Sequence, residues 1–245
     1  MKYMLNIKNL GKFTNQAQTS IQNVVREYCQ HLFLSYLYKQ PGSERLLFKG
    51  GTALRIVFHS PRYSEDLDFT GVNISQKEVE EIFTNTLADL EKTGIGVELE
   101  EGKPTTGGYL GIAIFQAYER NTKIQIEVSL RNGKRPQGER FLVENDYITA
   151  YSLVHLPKDG IVKGKMQALI NRHKPRDFYD YFFLLSGNYP IVKEKGNLAQ
   201  IRKLLEETKY NFRNELRELL PASHAMHLRD FKKILEQKIL SFSKQ

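Results

Sequence analysis

The 245-residue sequence contains no tryptophan and one cysteine, Cys29, so the chain cannot close an internal disulfide and has no cysteine-based zinc site. A reducing, cytoplasmic setting is the expectation. Long apolar runs are missing as well: no window approaches the roughly 18–20 apolar residues of a membrane helix. The opening MKYMLNIKNLGKF holds no continuous apolar stretch of the signal-peptide kind, so secretion and membrane spanning are disfavoured. Repeats and low-complexity tracts are also absent. What is present, 14 Phe and 13 Tyr within 40% hydrophobic residues, supplies a packed core for one large domain or two small ones. Acidic residues are scarce only in the second part of the chain. Residues 1–150 carry 18 Lys+Arg and 18 Asp+Glu, whereas 151–245 carry 18 and 10, so the net charge of +8 belongs entirely to the C-terminal part. That imbalance suits a phosphate-bearing partner, because cations that neutralise phosphates release counterions. A solvated basic helical surface is the alternative.

The patterning predicts a small mixed sheet with helices over 1–150 and a basic helical region over 151–245. Ile21, Val24, Val25, Tyr28, Leu32 and Phe33 recur at helical spacing up to Pro41-Gly42. A short apolar run Leu46-Leu47-Phe48, the pair Gly50-Gly51 and a helical stretch to Phe58 read as strand, turn, helix. Asp66-Leu67-Asp68-Phe69 alternates as a half-buried strand does. Ser75 followed by Glu78 predicts a capping box opening a helix to about Lys92. Strands are expected at Val97–Glu101, Leu110–Ala117 and Lys123–Leu130. Beyond the polar loop Arg131–Arg140 the chain reads as mainly helical, with segments near 161–173, 175–186, 198–220 and 224–243.

Chemistry concentrates in Phe48-Lys49-Gly50-Gly51-Thr52 and, after a short helix, Arg62-Tyr63-Ser64-Glu65-Asp66-Leu67-Asp68. Carboxylates two apart on a strand share a face. Asp66 and Asp68 therefore form a platform for a hard cation that leaves coordination sites open to phosphates. A glycine pair at the mouth of a helix lets backbone N–H groups approach a phosphate. Either half alone reads as an ordinary edge or turn; together, in this order, they suit nucleoside-triphosphate chemistry.

Gly50-Gly51, 14 intervening residues and Asp66-Leu67-Asp68-Phe69 resemble the signature of polymerase-beta-like nucleotidyltransferases. The wider wording FKGGTAL, RYSEDLDF and GKMQALINRHKPRDFYD resembles the AbiEii/AbiGii nucleotidyltransferase toxin family of abortive-infection and toxin–antitoxin operons. The resemblance implies an α+β fold, a polymerase-beta-like core followed by a helical C-terminal subdomain. It implies Mg²⁺ (or Mn²⁺) on Asp66 and Asp68, and phosphate contacts at Gly50, Gly51 and Ser64. Thr52 either joins them or caps the helix. Arg62 offers its fork to a phosphate or pairs with Glu65. Glu127, on the polar face of its strand, stands where the superfamily carries a third metal carboxylate, or is an ordinary exposed Glu.

Lys165, Arg172 and Arg176 are spaced to share a helix face, with Pro175 opening a new helix and Asp177 in its first turn. These cations are nucleotide-binding candidates. The resemblance makes Lys165 a phosphate ligand and Asp177 the base or orienting group for the attacking hydroxyl; without it, Asp177 is a favourable helix N-terminal charge. Asp180 is expected to tie Arg176 or Arg172. The activity implied is transfer of a nucleoside monophosphate from an NTP to a hydroxyl acceptor. RNA is the expected acceptor, a tRNA 3′ end among the candidates, with a toxin role in phage defence opposed by a cognate antitoxin. Alternatives are a small-molecule or protein acceptor, or a non-catalytic nucleotide- or nucleic-acid-binding module.

Overall fold

The computed structural model describes residues 7–118, 120–130, 136–187, 189–224 and 228–243. They group into two units. One comprises the chain up to His59 together with Tyr63–Pro157, the other Ser60–Arg62 together with the chain from Lys158.

The first unit is built on a seven-stranded sheet. Its strands are β1 (Leu46–Lys49), β2 (Leu67–Gly71), β3 (Gly96–Thr105), β4 (Gly108–Ala117), β5 (Arg120–Ser129), β6 (Glu139–Val143) and β7 (Tyr151–His155), in the spatial order β3-β4-β5-β2-β1-β7-β6. The β2–β5 and β1–β7 pairs are parallel and the rest antiparallel. Around the sheet lie α1 (Ile7–Ala17), α2 (Ile21–Leu37), α3 (Gly50–Phe58) and α4 (Gln76–Glu91). Two of them start on side-chain caps. Ser20 caps α2 by accepting from the Asn23 amide at 3.2 Å. Ser75 and Glu78 form the expected reciprocal capping box of α4. The apolar stripe of α2 packs inward, with Val24, Cys29 and Phe33 fully buried, and Phe33 meets Phe83 of α4 edge-on at 5.8 Å between centroids.

The expected mainly helical character beyond residue 140 does not hold at once: Glu139–Val143 and Tyr151–His155 are strands. In β7 the alternation of buried Tyr151, Leu153 and His155 with Ser152 and Val154 is the period-2 signal that a helical reading of this stretch overlooks. The sheet therefore extends past residue 150, and the two units divide at Pro157–Lys158. Arg131–Arg135 of the expected polar loop lie outside the described residues.

The second unit is helical: α5 (Lys158–Arg172), α6 (Pro175–Leu185), α7 (Pro190–Lys193), α8 (Lys195–Glu207), α9 (Phe212–Leu216) and α10 (Phe231–Ser243). The helix expected over 198–220 is broken. Thr208 turns extended, and the Asn211 side chain accepts from the Asn214 amide at 3.2 Å, starting α9 afresh. Of the segment expected over 224–243, residues 225–227 lie outside the described set. An aromatic core holds the unit: Tyr179 stacks on Phe231 at 5.8 Å, and Phe178 meets Phe212 at 5.7 Å.

Candidate active site

The β1–α3 junction carries the glycine pair. Gly50 has φ +84°, and a β-carbon built on it would stand 1.9 Å from Oδ2 of Asp68. Glycine is thus required twice over, by backbone conformation and by the approach of a carboxylate. Register sets the rest: Lys49 of β1 lies opposite Asp68 of β2, and Asp68 lies opposite Glu127 of β5. Residues directly opposite on paired strands share a face, so Lys49, Asp68 and Glu127 form one row across three strands. Asp66 precedes β2 and lies two residues from Asp68. A hollow of about 280 Å³ borders this row, lined among others by Lys49, Asp68, Leu110, Glu127 and Ser129.

Thr52 is buried, and its hydroxyl donates to the main-chain carbonyl of Asp66 at 2.5 Å. Of the two expected roles, phosphate contact or capping, the hydrogen bond serves neither; it ties the first turn of α3 to the residue before β2. Ser64 is half-buried. The Ser64 and Glu65 carbonyls accept from the Gln30 amide at 3.0 and 3.2 Å. Glu65 pairs with Arg26 at 3.2 Å. Further support comes from Arg55, whose guanidinium lies 3.6 Å from the Tyr63 ring centroid and is paired with Glu27, which also accepts from Tyr147 at 2.9 Å. Burial opposes the charge on Arg55, but Glu27 prevails and its pKa is raised. Sequence reasoning missed Gln30 and Glu27. The only signal was polar residues on the otherwise apolar buried stripe of α2.

Asp66, Asp68 and Glu127 were expected to hold a metal. Among the described residues, no three or more His, Cys, Asp or Glu side chains converge into a cage. Mg²⁺ needs no such cage, since one or two carboxylates with substrate phosphates and water commonly complete its shell. Hard oxygen donors on adjacent strands fit that pattern, and Gln125 helps orient Glu127 by donating to Oε1 at 2.6 Å.

In the helical unit, Asp180 is the hub. It accepts Arg62 Nε at 2.6 Å and Nη2 at 3.0 Å, and Lys165 Nζ at 2.8 Å. Burial alone would push the Asp180 carboxyl up; the Arg62 and Lys165 charges and hydrogen bonds override this and bring it down to about 2. Asp180 therefore ties Arg62 and Lys165, not Arg176 or Arg172 as expected. Arg62 does not lie open: its side chain is 4% exposed and gives Nε and Nη2 to Asp180, while Glu65 pairs with Arg26. Arg172 donates Nε and Nη2 to Asp177 at 2.9 and 2.7 Å, and the Lys174 amide donates to Asp177 Oδ2 at 3.1 Å. Asp177 is 1% exposed with both oxygens engaged, an arrangement that suits the orienting role more than that of the base. Arg176 differs: its Nε is buried with no hydrogen-bond partner among the described residues.

The sequence matches, over residues 32–244, the family model for nucleotidyl transferase AbiEii toxin of type IV toxin–antitoxin systems. Among solved structures, MenT4, a nucleotidyltransferase toxin from Mycobacterium tuberculosis, is similar with TM-score 0.64 and 16% identity over 98% of this chain and 93% of that one. JHP933 from Helicobacter pylori gives 0.56 and 18%, over 92% of this chain and 97% of its own. No curated protein matches the sequence. Among the described residues, no helix is long and apolar enough to cross a membrane.

Proposed function

The chain belongs to the AbiEii family of nucleotidyltransferase toxins, and from that membership we propose a Mg²⁺-dependent enzyme that transfers a nucleoside monophosphate from an NTP to a hydroxyl of RNA, releasing pyrophosphate. The observation that carries the reading is the row Lys49–Asp68–Glu127 abutting a glycine whose missing side chain leaves room for the Asp68 carboxylate. Asp68 and Glu127, with Asp66, would hold Mg²⁺. When bound, the ion supplies charge neutralisation on the phosphates and orientation of the attacking and leaving oxygens. The residues themselves do the remaining work. Gly50 and Gly51 at the α3 N-terminus offer backbone N–H groups to phosphate oxygens. On the helical unit, Lys165, whose ammonium Asp180 holds, and Arg176, whose buried Nε has no partner among the described residues, are the proposed nucleotide-binding cations. Arg62 shares Asp180 with Lys165, while Arg172 and the Lys174 amide fix Asp177 at the start of α6. The acceptor hydroxyl lies in a cytoplasmic RNA, a tRNA 3′ end being one candidate, and a cognate antitoxin opposes the resulting growth inhibition.

The basic balance of residues 151–245 favours RNA over a small neutral acceptor. Incubation with labelled NTPs, Mg²⁺ and total RNA tests the proposal. Label should enter an RNA fraction with wild type and not with Asp68→Asn. Equal labelling by the two proteins, or label found only on protein or a small molecule, would overturn the reading.

A further inference from the structure

The helical unit holds a concave feature lined by none of the residues assigned above. A hollow of about 480 Å³ opens where the stretch Lys209–Arg213 meets the first turn of α10. Its floor is built: Phe212 packs on Phe231 with ring centroids 5.1 Å apart. Its rim is tied as well, because the Lys232 ammonium donates to the Glu206 and Thr208 carbonyls at the end of α8, at 3.0 and 2.9 Å. The Lys209–Arg213 stretch and the first turn of α10 are thereby held side by side.

Around this floor stand Lys209, Arg213, Arg229 and Lys233, all exposed. None has an ion-pair partner among the described residues, and Asp230 is the one acid lining the hollow. Elsewhere on the unit, exposed cations such as Arg202 and Lys203 face carboxylates on their own helix. Tyr210, on the same rim, is 42% exposed, one of few large hydrophobic side chains so open to water among the described residues. Clustered cations that outnumber the one acid beside them repel one another, and an exposed ring leaves apolar surface wet; a ligand carrying repeated anionic groups and flat faces relieves both. An acidic protein surface would satisfy the cations but offers no stack of flat faces for Tyr210. The first turn of α10 adds its N-terminal backbone N–H groups to the positive field.

We propose that this hollow binds single-stranded RNA, with Lys209, Arg213, Arg229 and Lys233 on the phosphates of the strand and Tyr210 stacked on a base. The inference rests on the RNA acceptor proposed above and adds the surface that grips it.

Fluorescence anisotropy with a labelled single-stranded oligoribonucleotide of about 12 nucleotides, within the usual range of such sites, tests it in the full chain. The triple variant Lys209→Ala/Arg229→Ala/Lys233→Ala should lower the slope of log affinity against log salt by about 2, at roughly 0.7 per phosphate contact for single strands. Tyr210→Ala should weaken binding about fivefold or more at fixed salt, leaving that slope unchanged. A control of equal net charge, Lys163→Ala/Lys195→Ala/Lys203→Ala, should keep the wild-type slope. All seven side chains are exposed, so folding is retained. A hollow variant indistinguishable from the control overturns the proposal. So does competition by polyglutamate equal to that of RNA and unaffected by Tyr210→Ala, which would assign the surface to an acidic protein. NTP turnover is read in parallel. Hollow-dependent RNA binding without any transfer would sink the nucleotidyl-transfer reading and leave this one standing; transfer to RNA with hollow-independent binding would do the reverse.

Discussion

Gly50 lies so near Asp68 that a β-carbon on the glycine would stand 1.9 Å from the carboxylate oxygen Oδ2. The glycine also has φ +84°, so an alanine there is strained by its own backbone as well as by its neighbour. Gly50→Ala should displace the Asp68 carboxylate and lower kcat/KM for nucleotidyl transfer by about 10²-fold, the cost of a misplacement near 1 Å. The loss of stability should be smaller, about 1–2 kcal/mol, seen as a lower urea midpoint. Full activity in a folded Gly50→Ala would show that the close approach is incidental.

Glu127 stands beside Asp68 through the parallel pairing of β2 and β5. If it supports the cation, Glu127→Gln should raise the Mg²⁺ concentration for half-maximal activity more than about tenfold, the scale for loss of a supporting group at a metal site. Excess Mg²⁺ should restore much of the rate. EDTA should abolish wild-type activity reversibly. An unchanged Mg²⁺ titration would return Glu127 to an ordinary surface carboxylate.

Asp180 binds two buried cations, so removing its charge strands both. Asp180→Asn should destabilise the protein by about 3–5 kcal/mol, measured by chemical unfolding, and Arg62→Met combined with Asp180→Leu should cost less than the two single changes added together. The pH consequence follows from the sign of the shift. The folded pKa of about 2 lies below the ordinary 3.8, so the contribution is present above pH 3.8 and is lost as pH falls toward 2.

His31 behaves differently because it is buried without a net-favourable charge. Desolvation, against a weaker pull from Glu27, lowers its pKa from 6.5 to about 4. Over that interval the unfolded chain takes up the proton and the folded one does not. Stability is therefore full above pH 6.5, declines as pH falls to about 4, and is flat in this component below that. The decline is worth about 3 kcal/mol and should be missing in His31→Gln, as read from unfolding midpoints at successive pH values.

Asp177 is pinned by the Arg172 fork and by the Lys174 amide at the start of α6. As a positioning residue, its replacement by Asn should cost about 1–2 kcal/mol of stability and leave the shape of the pH–rate profile intact. A general base would instead lose about 10²-fold or more in kcat together with the acidic limb of that profile.

Local chemistry made several of these features legible in the sequence. Gly50-Gly51 before an apolar helix, the acid–apolar–acid run at Asp66–Phe69 and the Ser75/Glu78 box each depend on residues within a few positions of one another. The stripe of α2 needs only the helical period, and Val24, Tyr28 and Phe33 are buried where that period puts them. The last two strands went unread because Tyr151–His155 is short and gains its place by pairing with β1, a partner about a hundred residues earlier in the chain.

Partner choice across long separations was beyond any local pattern. Nothing near Glu127 says that its strand will lie parallel to β2 with Asp68 as its neighbour. Nothing near Arg62 says that its counter-charge will be Asp180, 118 positions away, rather than the adjacent Glu65. Local periodicity and capping arise from backbone geometry that repeats every two or four residues. Register and ion-pair partners arise from packing, in which burying a charge is tolerable only beside the one opposite charge that the fold brings to it. That is why the motif's chemistry could be read along the chain, while the identity of its supporting residues depended on which segments came to lie together.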